Sequence, residues 1–160
     1  MFRLILVALC AALLIPEVGM ARKQTPKPTW EQIAAFYSGG NQKGPITYDW
    51  TNSMGTTGMA GSGQIKLNPK VKESLDAFSK YGPRSQQGMV LGALGLSTLI
   101  HESLHNRKNT QDLRFDEETA PNDLGWRLIP DMLQRYFGVP IDSKWGKKYL
   151  DMVMKQVGSR

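Results

Sequence analysis

The chain contains only two histidines, and both fall in one five-residue stretch, His101-Glu102-Ser103-Leu104-His105. In a helix, residues four apart share a face, with Cβ atoms roughly 5–6 Å apart. Two imidazoles so placed can grip one zinc ion through bonds of about 2.0–2.1 Å. Glu102, one position on, points slightly aside, where its carboxylate can reach a metal-bound water without ligating the metal. A zinc ion lowers the pKa of its water and polarises a scissile carbonyl. Glu102 is then the general base, taking the proton and passing it to the leaving amine. The stretch carries the residue types that metal-assisted hydrolysis requires.

A catalytic zinc takes a third protein ligand and keeps one position open. No third histidine exists, and the single cysteine, Cys10, belongs to a segment read below as a leader. The third ligand must therefore be a carboxylate, and Asp116, Glu117, Glu118 and Asp123 are the candidates downstream. The metzincin spacing fails, because Gln111 stands where a histidine belongs and Lys108 replaces a glycine. Asp112 is one residue out of register for an aspartate variant. A helix end with two solvated histidines is the plain alternative. The long apolar run upstream speaks against it, with Leu94, Thr98 and Ile100 expected to keep solvent from the rings.

The elements that must position these residues can be read from the pattern. Thr29 caps a short helix to about Tyr37, which Gly39 and Gly40 stop. Ile46 to Trp50 alternates apolar and polar residues, as does Ile65-Lys66-Leu67, and each predicts a strand. The two are expected to pair as a hairpin around a mobile glycine loop, residues 52–63. Asn68 and Pro69 open a helix to about Tyr81, with Val71, Leu75 and Phe78 on one face. A second, buried helix runs from about Ser85 to Asn106 and carries the histidines near its carboxyl end. Its Gly88, Gly92 and Gly95 lower helix propensity but permit close packing. After a polar connection, a helix from about Asp116 to Phe137 is predicted to bend at Pro130, and a last one spans about Ser143 to Val157. The expected class is α+β, mainly helical, with a small antiparallel strand pair on the histidine helix. No internal repeat is present.

The first 21 residues differ in kind. Arg3 precedes an unbroken apolar run from Leu4 to Ile15, Pro16 ends it, and Gly19-Met20-Ala21 offers a small-residue cleavage site. This is the pattern of a secretory signal peptide. The run falls short of the roughly 20 residues that span a bilayer. Cleavage near Ala21-Arg22 would remove Cys10, leaving no disulfide and a chain stabilised by its core and any metal. Residues 22–29 form a flexible lead-in and residues 30–160 a single domain. The expected location is secreted or periplasmic, with no stable membrane span. The 160 residues suit one domain, and 41% hydrophobic with 21% charged residues excludes wholesale disorder. The net charge of +6 is scattered, with no arginine-lined helix, zinc-finger spacing or aromatic RNA-binding signature, so a nucleic-acid partner is not expected.

The His101-Glu102-x-x-His105 motif resembles the zinc metallopeptidases, and with Glu117-Glu118-Thr119-Ala120 the chain resembles their gluzincin group. There the third ligand is a glutamate on a later helix in an E-x-x-A-D context. The resemblance therefore implies Glu117 as third ligand, with Glu118 the alternate. Pro121 stands where the acidic residue belongs, and Asp123 is the substitute for it. The element order over about residues 46–137 is similar to that of small bacterial and phage metallopeptidases. The resemblance implies a Zn2+-dependent endopeptidase acting on a peptide or protein. It also implies that an edge strand, around Ile65 to Leu67 or its hairpin partner, holds an extended peptide, with the glycine loop as a flap. Arg107, Tyr136 and Tyr149 are chemically suited to stabilise an oxyanion, and none is singled out. Two other functions fit the small size, export and positive charge: a non-catalytic zinc-binding or wall-associated protein, and an endopeptidase of peptidoglycan cross-links.

Overall fold

Thr29 opens the first helix with a reciprocal cap. Its hydroxyl accepts from Gln32 N, while the Gln32 side chain accepts from Thr29 N. Helix α1 (Trp30–Tyr37) buries Ile33, Ala34 and Tyr37. The computed structural model describes residues 27–51, 57–107 and 119–158, with residues 119–122 described as backbone alone. The predicted leader and most of the lead-in lie outside the described residues.

Strands β1 (Gly58–Gly61) and β2 (Gln64–Leu67) form an antiparallel hairpin with Gly58 opposite Leu67 and Gly61 opposite Gln64. Ser62 and Gly63 between them have φ of 53° and 80°. Two successive positive φ values are the signature of a tight hairpin turn whose twist matches its strands. This corrects the expected pairing of residues 46–50 with 63–67. Thr47 instead meets Lys66 in one parallel bridge, and Thr47, Ile65, Leu67 and Trp50 exchange backbone hydrogen bonds along it. The two-residue turn closes a hairpin at far lower entropic cost than a long loop. Gly-Met-Ala-Gly is a poor strand former by composition, so the strand inside the glycine-rich segment escaped the pattern. Ile65 and Leu67 face the core and Lys66 faces away, as their alternation required.

Asn68 caps helix α2 (Pro69–Tyr81), accepting from Lys70 N at 2.9 Å. Ser85 caps helix α3 (Gln86–His105), accepting from Gly88 N at 2.8 Å. These two helices pack through glycines. A Cβ at Gly92 would stand 2.6 Å from Phe78 Cβ, and one at Gly95 would stand 2.9 Å from the Leu75 backbone nitrogen. At the closest point the Ser74 hydroxyl donates to Leu91 O at 2.5 Å and accepts from Gly95 N at 2.8 Å. That carbonyl and amide face each other one turn apart on α3.

The expected single helix over 116–137 is two helices, α4 (Thr119–Arg127) and α5 (Ile129–Phe137). Pro130 lies in the first turn of α5, where its missing N–H costs nothing. Inside a continuous helix its ring would strike the carbonyl four residues back, so the chain breaks rather than bends. Gly138, at φ 60°, ends α5, and helix α6 (Lys144–Gly158) packs on α4 and α5.

Helix α3 is the centre, touching α1, α2, α4, α5 and both strands. Leu96, Leu99 and Ile100 from α3 meet Ile33, Ile65, Leu67, Leu75, Ile129 and Leu133 in one buried cluster. Each such side chain contributes about 1.5–3 kcal/mol by leaving water. The α+β class is as expected, mostly helical with one small antiparallel sheet. Among the described residues no helix is long and apolar enough to cross a membrane.

Candidate metal centre

The last turn of α3 presents His101 and His105 on one face. Their Nε2 atoms are 3.0 Å apart and their rings meet nearly edge-on, centroids 4.6 Å apart. Tetrahedral coordination at bonds of about 2.0–2.1 Å sets two ligand atoms about 3.3 Å apart, so this pair fits one such ion with a small adjustment. His101 is buried and His105 is open to solvent, giving an ion a route from outside. Glu102 Oε1 is 3.9 Å from His101 Nε2, too far for a hydrogen bond but near enough to share the space beyond the rings. One donor atom from each of the three residues lies within 4.8 Å of the others. This His/Glu/His group, with His101 and Glu102 buried, can hold a metal ion.

Two neighbouring elements frame it. On one side β1 lies against α3 so closely that a Cβ at Gly58 would stand 2.8 Å from Glu102 Oε1. On the other, α4 crosses the helix at Gly125. A Cβ there would stand 2.6 Å from Ser97 O and 3.2 Å from His101 Cβ. The hairpin is also fastened to the end of α3. Asn106, the residue after His105, is buried, and its Oδ1 accepts from Gly63 N at 3.2 Å. Its Nδ2 donates to Gln64 O at 3.1 Å and to Gln42 Oε1 at 3.3 Å. Neither Gly58 nor Asn106 was singled out from the sequence. A glycine in a glycine-rich run and an asparagine at a helix end carry no spacing signal that points to a site.

The other expected residues fall as follows. Asp116, Glu117 and Glu118 lie outside the described residues. Asp123 is on α4, two residues before the Gly125 crossing, and is partly buried. Tyr136 sits on α5 with its ring edge-on to Phe36, 6.1 Å between centroids. Tyr149 is fully buried on α6, and burial pushes its phenol well above the usual tyrosine range. Arg107 is exposed just past α3, its stem beside Gly39. Trp30, Trp126 and Trp145 pack against the core as partly buried residues.

One expectation about solvent is corrected. Thr98 and Ile100 are buried, but Leu94 is 45% exposed, and with Val90 and Leu91 it forms an apolar stripe open to water.

No protein-family model, curated protein or solved structure matches this chain. The likeness to the zinc peptidases rests on the His101-Glu102-His105 group and its spacing.

Proposed function

We propose that this protein is an exported zinc-dependent endopeptidase, with His101 and His105 as two ligands and Glu102 as general base. Glu117 is the proposed third ligand, with Glu118 the alternate. Both immediately precede α4, the helix that crosses α3 at His101. The observation that carries the reading is the pair of Nε2 atoms 3.0 Å apart with a buried carboxylate beside them.

Zinc bound there would supply Lewis acidity toward the scissile carbonyl and lower the pKa of water. The residues of the chain do the rest. The Glu102 carboxylate takes a proton from the attacking water at Oε1 and delivers it to the leaving amide nitrogen. Its burial keeps bulk water from competing for that proton. An extended peptide is proposed to add beside β1. Strand β2 is flanked by β1 on one side and by Thr47 on the other, so the outer edge belongs to β1 rather than to residues 65–67.

The test is cleavage of a broad peptide library by purified protein with measured zinc content. Wild type should cleave, and Glu102→Gln should retain zinc yet lose cleavage by about 100-fold or more. Cleavage at the wild-type rate in Glu102→Gln would refute the mechanism. Zinc binding without cleavage in wild type would instead identify a metal-binding protein. Selective release from purified cell walls would identify a peptidoglycan endopeptidase.

A further inference from the structure

The backbone of the hairpin comes close to the metal group at Gly58, where a Cβ would stand 2.8 Å from Glu102 Oε1, 2.9 Å from Cγ and 3.0 Å from Cδ. Contacts that short do not persist, so with any larger residue here either the strand or the carboxylate must move. The strand is the more firmly held. Gly58 pairs with Leu67 across the hairpin, Asn68 N donates to Thr57 O at 2.8 Å, and Asn106 ties the turn at Gly63 to the end of α3. Glu102 is therefore the partner that yields.

We infer that Gly58 is a positioning residue for the general base. Its bare backbone forms one wall of the Glu102 carboxylate slot and limits the rotamers that the side chain can adopt. A buried glutamate without such a wall keeps several orientations, and only one points its oxygen at the reacting water. A displacement of about 1 Å at a reacting group can cost about 100-fold in rate. The inference rests on the hydrolytic reading of Glu102, but the contact itself can be tested without activity.

The experiment pairs Gly58→Ala with Glu102→Ala in the full chain. In metal-free protein, Gly58→Ala should lower the Tm by about 3–8 °C. In the Glu102→Ala background, where the carboxylate no longer fills the space, the same change should lower it by less than about 1 °C. Should Gly58→Ala alone fail to fold, a folded double variant supports the contact and an unfolded one overturns it. On a cleaved peptide, Gly58→Ala should reduce kcat about tenfold or more while KM stays within about threefold. Zinc affinity should likewise stay within about threefold, since the three atoms nearest the new methyl all belong to Glu102. An equal Tm loss in both backgrounds, or an unchanged kcat, would overturn the inference. Cleavage that survives Glu102→Gln would refute the hydrolytic reading instead, and the Tm coupling would still decide the contact.

Discussion

Two of the close approaches to helix α3 use glycine in opposite ways. Along its first half the glycines are on α3, and they admit Phe78, Leu75 and Ser74 from α2. Near its end the glycine is on the neighbour, and Gly58 of β1 admits the Glu102 carboxylate from α3. The first seam is apolar and serves packing, where a lost or added methyl is felt as stability. The second encloses the buried Glu102 carboxylate, where the same change displaces a polar group as well as costing stability.

Substitutions that affect one seam and spare the other sharpen this contrast. The largest expected effect is at the metal group. His105→Ala should weaken zinc binding more than about 100-fold, read by competition with a chromophoric chelator. Because His105 is exposed, the Tm of its metal-free form should stay within about 2 °C of wild type. Gly92→Ala should do the reverse. Its methyl would meet Phe78, costing about 1–3 kcal/mol in urea unfolding, with zinc affinity unchanged in the folded fraction. Asn106→Ala falls between the two. It removes the acceptor of the buried Gly63 amide, and should cost about 1–3 kcal/mol. It should also loosen the hairpin, visible as faster hydrogen exchange at Gly63.

The smallest effect is on α6. The Tyr149 hydroxyl is buried without a hydrogen-bond partner among the described residues, so Tyr149→Phe should stabilise the protein by about 1 kcal/mol. It should also change the alkaline limb. Burial raises the phenols of Tyr37, Tyr48 and Tyr149, that of Tyr48 to about 12. Below the ordinary tyrosine value of about 10, folded and unfolded chains hold the same phenol protons. Above it only the unfolded chain releases them, so stability falls as pH rises through that range. Thermal melts from pH 9 to 11 should show a shallower fall for Tyr149→Phe than for wild type.

Much of this arrangement was legible in the sequence, and the rest was hidden for physical reasons. Thr29, Asn68-Pro69 and Ser85 mark their helix starts because capping is local chemistry written in adjacent residues. The histidine pair was legible because a helix converts a spacing of four into proximity. The hairpin was misread because the Ser62-Gly63 turn gains its advantage from backbone conformation, which hydrophobic alternation does not encode. Pro130 predicts a bend from the sequence, and the chain breaks at Leu128 instead because the proline sits in the first turn of a new helix. Gly58 and Asn106 act through contacts between segments more than 40 residues apart in the chain, and no local pattern records such a meeting. The carboxylate expected to complete the metal set, Glu117 or Glu118, lies outside the described residues.

Ser74 couples the docking of α2 to the backbone of α3. Its hydroxyl donates to the Leu91 carbonyl and accepts from the Gly95 amide, two groups that an isolated helix pairs with each other. The connection between the two helices is short, residues 82–85, and closing a short loop costs little entropy. The α2–α3 contacts at Ser74, 17 and 21 residues apart in the chain, therefore close at lower entropic cost than the meeting of Gly58 with Glu102 across more than 40 residues. The histidines are aligned within one helix, while the wall beside the carboxylate comes from a distant segment.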